Sequence, residues 1–64
     1  MSAIALRPVL LQLERAPGPL RQQIEAALRV QGEPLRWAVT AVQLRPDAPS
    51  LLQIEAVVRS AGGY

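Results

Sequence analysis

A chain of 64 residues with no cysteine and no histidine is a single domain that has neither disulfides nor the usual ligands of a structural metal to hold it together. Such a domain buries only about 60% of the surface its unfolded chain exposes, so self-association is the remaining source of stability. Half the residues are hydrophobic and the mean hydropathy is +0.16, which excludes a disordered tail. Seven Arg against five acids leave a net charge of only +2, and the arginines at 7, 15, 21, 29, 36, 45 and 59 are scattered. They make no basic run of the kind that marks a polyanion-binding tail.

The first predicted element is a strand over 3–14. Val9, Leu11 and Leu13 alternate with Leu10, Gln12 and Glu14 at the period of two that a strand requires. Pro8 cannot donate a ladder hydrogen bond, which places it at a sheet edge or in a bulge. Ile4 and Leu6 fall in the opposite parity to Val9, Leu11 and Leu13, so a bulge at Arg7-Pro8 would bring both sets to one face. The segment Ala16-Pro17-Gly18-Pro19 then breaks the chain. Gly18 as N-cap and Pro19 at the first helical position predict a helix over 19–31. Leu20, Ile24, Ala27 and Leu28 make its apolar stripe, and Arg21, Gln22, Glu25 and Arg29 face away.

Gly32 suits the left-handed turn that ends a helix, and Pro34 prevents its resumption. Residues 35–45 read as the second strand, with two nearly equally apolar faces: Leu35, Trp37, Val39 and Ala41 on one, Ala38, Val42 and Leu44 with Arg36 and Thr40 on the other. Arg45-Pro46-Asp47-Ala48-Pro49-Ser50 is a turn. The third strand, 51–60, sets Leu52, Ile54, Ala56 and Val58 against Leu51, Gln53, Glu55, Val57 and Arg59. The order β-α-β-β predicts an α+β domain over 1–60, a three-stranded sheet with one helix packed on one face, followed by a flexible tail at 61–64.

The helix can cover only one face of the sheet. Uncovered apolar residues are therefore expected at Leu51 and Val57, with Val42 and Leu44 or else Trp37 and Val39, and the interface is assigned to Val42, Leu44, Leu51 and Val57. Together with the size argument, this predicts a homo-oligomer, with a further protein partner as an open alternative. No apolar signal core or span of about 20 residues occurs, so no membrane association is expected, and a cytoplasmic location is the default.

The residue types argue against catalysis. Ser2, Thr40, Ser50 and Ser60 have no His, Cys or Lys to activate them, and the carboxylates Glu14, Glu25, Glu33, Asp47 and Glu55 each have an ordinary structural place with no paired neighbour. One tryptophan and one tyrosine are too few for a nucleic-acid stacking sheet. Trp37 either fills the core beneath the helix or stands exposed as an anchor or stacking surface.

The topology, with Leu35-Arg36-Trp37 opening the second strand and Gln53 in the third, resembles the dodecins, small flavin-storing proteins that assemble as hollow dodecamers. That resemblance implies flavin as the cofactor, with Trp37 stacking on it and Gln53 bonding to it. Gln53 lies on the polar parity of its strand, so a shared flavin site requires Trp37 to face away from the helix as well. The leading expectation is a small non-catalytic, self-associating module that binds protein or a small ligand. A dodecin-like flavin store is the alternative.

Overall fold

A computed structural model describes residues 4–61. Its elements are β1 (Ile4–Glu14), α1 (Leu20–Arg29), β2 (Glu33–Arg45) and β3 (Ala48–Ala61). The sheet is antiparallel throughout, in the order β1-β3-β2. The chain is thus the expected α+β fold, with the last strand central. Ala61, the first residue of the tail expected at 61–64, belongs to β3 opposite Ile4, and residues 62–64 lie outside the described residues.

The centre of β3 is covered on one side by the helix. Its alternate residues Leu52, Ile54, Ala56 and Val58 are buried, as are Ile24 and Leu28 of α1. Val9, Leu11, Leu13, Leu20 and Trp37 pack around this core, each partly buried. The four side chains buried completely, Ile24, Leu28, Ile54 and Val58, each contribute about 1.5–3 kcal/mol by leaving water. The stripe read from the sequence is the one that faces inward.

The helix begins one residue later than its sequence signals suggest, with Pro19 as the N-cap residue and no side-chain cap at that position. Gln23 supplies what the cap lacks. Its Nε2 donates to the carbonyls of Ala16 (2.8 Å), Gly18 (3.2 Å) and Pro17 (3.3 Å), and its Oε1 accepts from the Ala16 N–H at 2.9 Å. At the other end the N–H groups of Gln31 and Gly32 both donate to the Leu28 carbonyl, at 2.8 and 3.1 Å. Arg7 reaches over from β1 to donate to the Gln31 carbonyl at 3.0 Å, a cation placed at the negative end of the helix dipole.

The strands differ from expectation in where they are irregular. β1 pairs with β3 in unbroken register from Ile4 to Glu14, so the bulge expected at Arg7-Pro8 does not form. Pro8 is accommodated because β1 is an edge strand. The Arg15 N–H donates to the Ser50 carbonyl at 2.9 Å, which sets the ladder phase: odd residues of β1 bond β3 and even residues, Pro8 included, turn their backbone outward. The missing N–H of Pro8 therefore costs the ladder nothing.

β2 instead carries extra residues at Leu35 and Thr40, and a further shift lies between Gln43 and Arg45. Each extra residue offsets the alternation by one. Trp37 stands opposite Ala56, Val39 opposite Ile54 and Val42 opposite Leu52, so all three share the helix side. Ala41 moves to the outer side, opposite Gln53. The two apolar parities that the sequence sets against each other are merged by the Thr40 bulge. The hairpin turn is also tighter than expected, since β3 starts at Ala48, and Arg45 Nε closes it by donating to the Pro49 carbonyl at 2.9 Å.

Gly32 has φ +156°, and a Cβ there would lie 2.8 Å from the Arg59 carbonyl oxygen and 3.3 Å from a Val58 methyl. Gly32→Ala must push α1 away from β3 at the point where the chain turns back. It is expected to lower unfolding stability by about 1–3 kcal/mol, read in urea as a lower midpoint at unchanged slope.

Candidate interaction surface

The helix is short for the sheet it covers. Ten residues span about 15 Å, whereas the fourteen residues of β3 extend about 46 Å at 3.3 Å per residue. The molecule measures 51 × 19 × 16 Å, with a radius of gyration of 13.6 Å, where a compact chain of this length would have about 10.7 Å. It exposes 4789 Å², against about 4,000 Å² for a globular protein of its mass. Among the described residues, two surfaces of the sheet carry exposed large apolar side chains.

The first is the outer face of the sheet. Leu6, Pro8, Leu10, Gln12 and Glu14 of β1 lie beside Arg59, Val57, Glu55, Gln53 and Leu51 of β3. On the other side of β3 stand Glu33, Arg36, Ala38, Ala41 and Gln43 of β2. Leu6 is 64% and Leu10 68% exposed. Shallow depressions run along this face, one bounded by Pro8, Arg36, Ala38, Glu55 and Val57 with Trp37 and Ala56 between them in their strands, the next by Leu10, Gln53 and Glu55, and a third by Gln12, Gln43, Leu51 and Gln53. The second surface is the flank of β2 beyond the helix, where Val42 is 55% and Leu44 80% exposed.

The four residues expected at an interface are therefore not brought together. Leu51 and Val57 share the outer face and are half-buried. Val42 lies on the opposite side of the sheet, and Leu44 sits in the irregular segment next to the hairpin turn, opposite Pro49 and Ser50. Leu6 and Leu10 are the outer-face residues that sequence reasoning missed, because the supposed bulge turned Leu6 inward and Leu10 was read only as a spacer.

Trp37 is half-buried on the helix side and packs against the core. Gln53 is on the outer side, where its Nε2 donates to the Thr40 hydroxyl at 3.3 Å, while that hydroxyl lies 3.4 Å from the Gln53 carbonyl. Within one copy, the two residues proposed to hold a flavin thus face opposite sides of the sheet. On the helix, the Glu25 carboxyl is held below the ordinary glutamate value. The largest cause is the hydrogen bond from Arg21 (3.1 Å), supported by the Arg21 charge, the Trp37 indole N–H and the Arg29 charge, and opposed by partial desolvation.

Charges on the sheet are mostly matched across strands. Glu14 pairs with Arg45 at 2.7 Å, and Glu33 pairs with Arg59 directly across the β2–β3 ladder. Among the described residues no group of three or more His, Cys, Asp or Glu side chains is placed to hold a metal, and none of the helices is long and apolar enough to cross a membrane.

These features define a two-layer β-α-β-β module with a half-covered sheet. The chain belongs to the family described as a domain of unknown function (DUF8621), whose model matches residues 5–60. No curated protein and no solved structure matches it.

Two measurements check this geometry. Trp37 emission is expected to be blue-shifted and unchanged by added flavin, and quenching by flavin at micromolar concentration would contradict its place beneath the helix. Because folding lowers the Glu25 pKa, its contribution to stability is present at neutral pH and is lost as pH falls through the folded value, below the ordinary glutamate range. Urea unfolding of Glu25→Gln should accordingly show a shallower loss of stability with acidification than the parent chain in that window.

Proposed function

We propose that this protein is a non-catalytic, self-associating module whose function is exercised through the uncovered parts of its sheet. The observation that carries this reading is the mismatch between helix and sheet, which leaves the chain with about a fifth more surface than its mass warrants. Leucines at 64% and 68% exposure on one sheet face are costly in a monomer and ordinary in a subunit.

The character of the surface favours a protein partner over a small molecule. Small-ligand sites are concave and enclose most of the ligand, whereas the depressions here are shallow and run on along the sheet. The flavin alternative gains no support within one copy, because Trp37 and Gln53 lie on opposite faces. A chain in which only six of the described residues are buried completely or nearly so gains most from a second copy, which is present wherever the first is.

Size-exclusion chromatography with light scattering tests the reading. A mass of two or more chains at micromolar concentration is expected, and the mass should fall on dilution together with thermal stability. A single-chain mass that persists up to 100 micromolar would overturn the proposal.

A further inference from the structure

The outer face carries a charge pattern that specifies how a second copy sits on it. Of the four charged side chains that make no ion pair or side-chain hydrogen bond among the described residues, Arg15 lies in the β1–α1 loop and Asp47 in the hairpin turn. The other two, Arg36 and Glu55, are exposed on the outer face and border the same depression with Pro8, Ala38 and Val57. Every other charge on the strands has a partner: Glu14 with Arg45, Glu33 with Arg59, and Arg7 with the Gln31 carbonyl. One positive and one negative group are thus left, on neighbouring strands and one ladder step apart, since Arg36 stands opposite Val57 and Glu55 opposite Ala38.

We propose that two copies stack outer face to outer face about a two-fold axis that crosses the strands level with Ala56, with Arg36 of each copy paired to Glu55 of the other. This proposal rests on the self-association argued above and assigns its surface and its partner. A two-fold axis makes an interface in which each contact occurs twice with roles exchanged, so one unpaired Arg and one unpaired Glu satisfy each other in two symmetric pairs. The axis at Ala56 exchanges the levels of residues 55 and 57 of β3. Pro8, which is level with Val57, then meets Leu10, which is level with Glu55, and Glu55 of one copy comes beside Arg36 of the other. Packed sheets stand about 10 Å apart, a gap that an arginine and a glutamate reaching from opposite sides can bridge.

The area is sufficient. The eleven residues of β1 at about 3.3 Å and three strands at about 4.8 Å give a face of about 36 × 14 Å. Two such faces bury about 1,000 Å² in plan before side-chain relief is added, which reaches the range of specific interfaces. The exposed Leu6 and Leu10 would be removed from water in the same step. The β2 flank at Val42 and Leu44 offers a narrower strip and no pair of unmatched charges.

Charge reversal tests the pairing. Sedimentation or light-scattering titrations of Arg36→Glu and Glu55→Arg should each show association weakened at least a hundredfold, since each puts two like-charge pairs into the interface. The double variant Arg36→Glu/Glu55→Arg should recover most of the parent affinity. Single variants that keep the parent mass, or a double variant no better than the singles, would overturn the proposal. An assembly indifferent to these changes but dissociated by Leu44→Asp would overturn the face assignment while leaving self-association standing, whereas a monomeric parent chain removes both readings. Circular dichroism verifies the fold of each variant. If a charge variant unfolds, Leu10→Lys on the same face serves in its place: dissociation of a folded chain supports the proposal and an unchanged mass contradicts it.

Discussion

The constraint from which the rest of the structure follows is one of length: a helix of ten residues must protect a strand of fourteen. A helix gains about 1.5 Å per residue and a strand about 3.3 Å, so a helix needs roughly twice as many residues as a strand to cover it end to end. Here it has fewer. The result is a core concentrated where α1 crosses β3, at Ile24, Leu28, Ile54 and Val58, with the ends and the far side of the sheet left bare. Domains of this size ordinarily close such gaps with disulfides or a metal, and a chain without cysteine and histidine has access to neither.

Within that limit, polar contacts hold the short helix in place from both ends. Gln23 ties the first turn to the proline-rich loop through three carbonyls and one N–H, and Arg7 holds the last turn from the edge strand. Between them Glu25 is gripped by Arg21 and Arg29 on its own helix and stands above Trp37. Exposed ion pairs of this kind add little to stability by themselves. Their effect is on register: the apolar stripe of α1 is directed onto β3 and cannot slide along the sheet to cover another part of it. What stays uncovered is therefore as well defined as what is covered.

The helix, the identity of the inward face of β3 and the β-α-β-β order are legible in the residues because each rests on a local rule. Period-two alternation in Leu52–Val58 and the i, i+4, i+8 spacing of Leu20, Ile24 and Leu28 need no knowledge of the partner strand. The faces of β2 are not legible in this way. Trp37, Val39 and Val42 lie on one side only because Thr40 is inserted between Ile54 and Gln53 of the neighbouring ladder, and a bulge is a property of two strands, with no signature in one. Pro8 shows the converse. A proline in a strand has two structural solutions, and the edge position that β1 occupies makes the second, a bulge, unnecessary. Cross-strand pairs such as Glu33 with Arg59 were hidden for the same reason, since the two residues are 26 positions apart.

The edges of the sheet bear on the same question as its faces. β2 is irregular at Leu35 and Thr40 and between Gln43 and Arg45, and bulges of this kind blunt an edge against pairing with another chain. β1 is regular over all its eleven residues, but Pro8 removes a donor from the middle of its open side, and the backbone groups of Leu6 and Leu10 on either side can no longer be joined in one continuous ladder. Each edge thus carries a feature that opposes growth of the sheet sideways. The outer face has no such obstacle: it is flat in register with β1, lined by Leu6, Pro8, Leu10 and Val57, and bears a single unmatched charge of each sign. Under the proposed self-association, a second copy discouraged at both edges is left with the faces, and of the two, only the outer face is uncovered along the described strands.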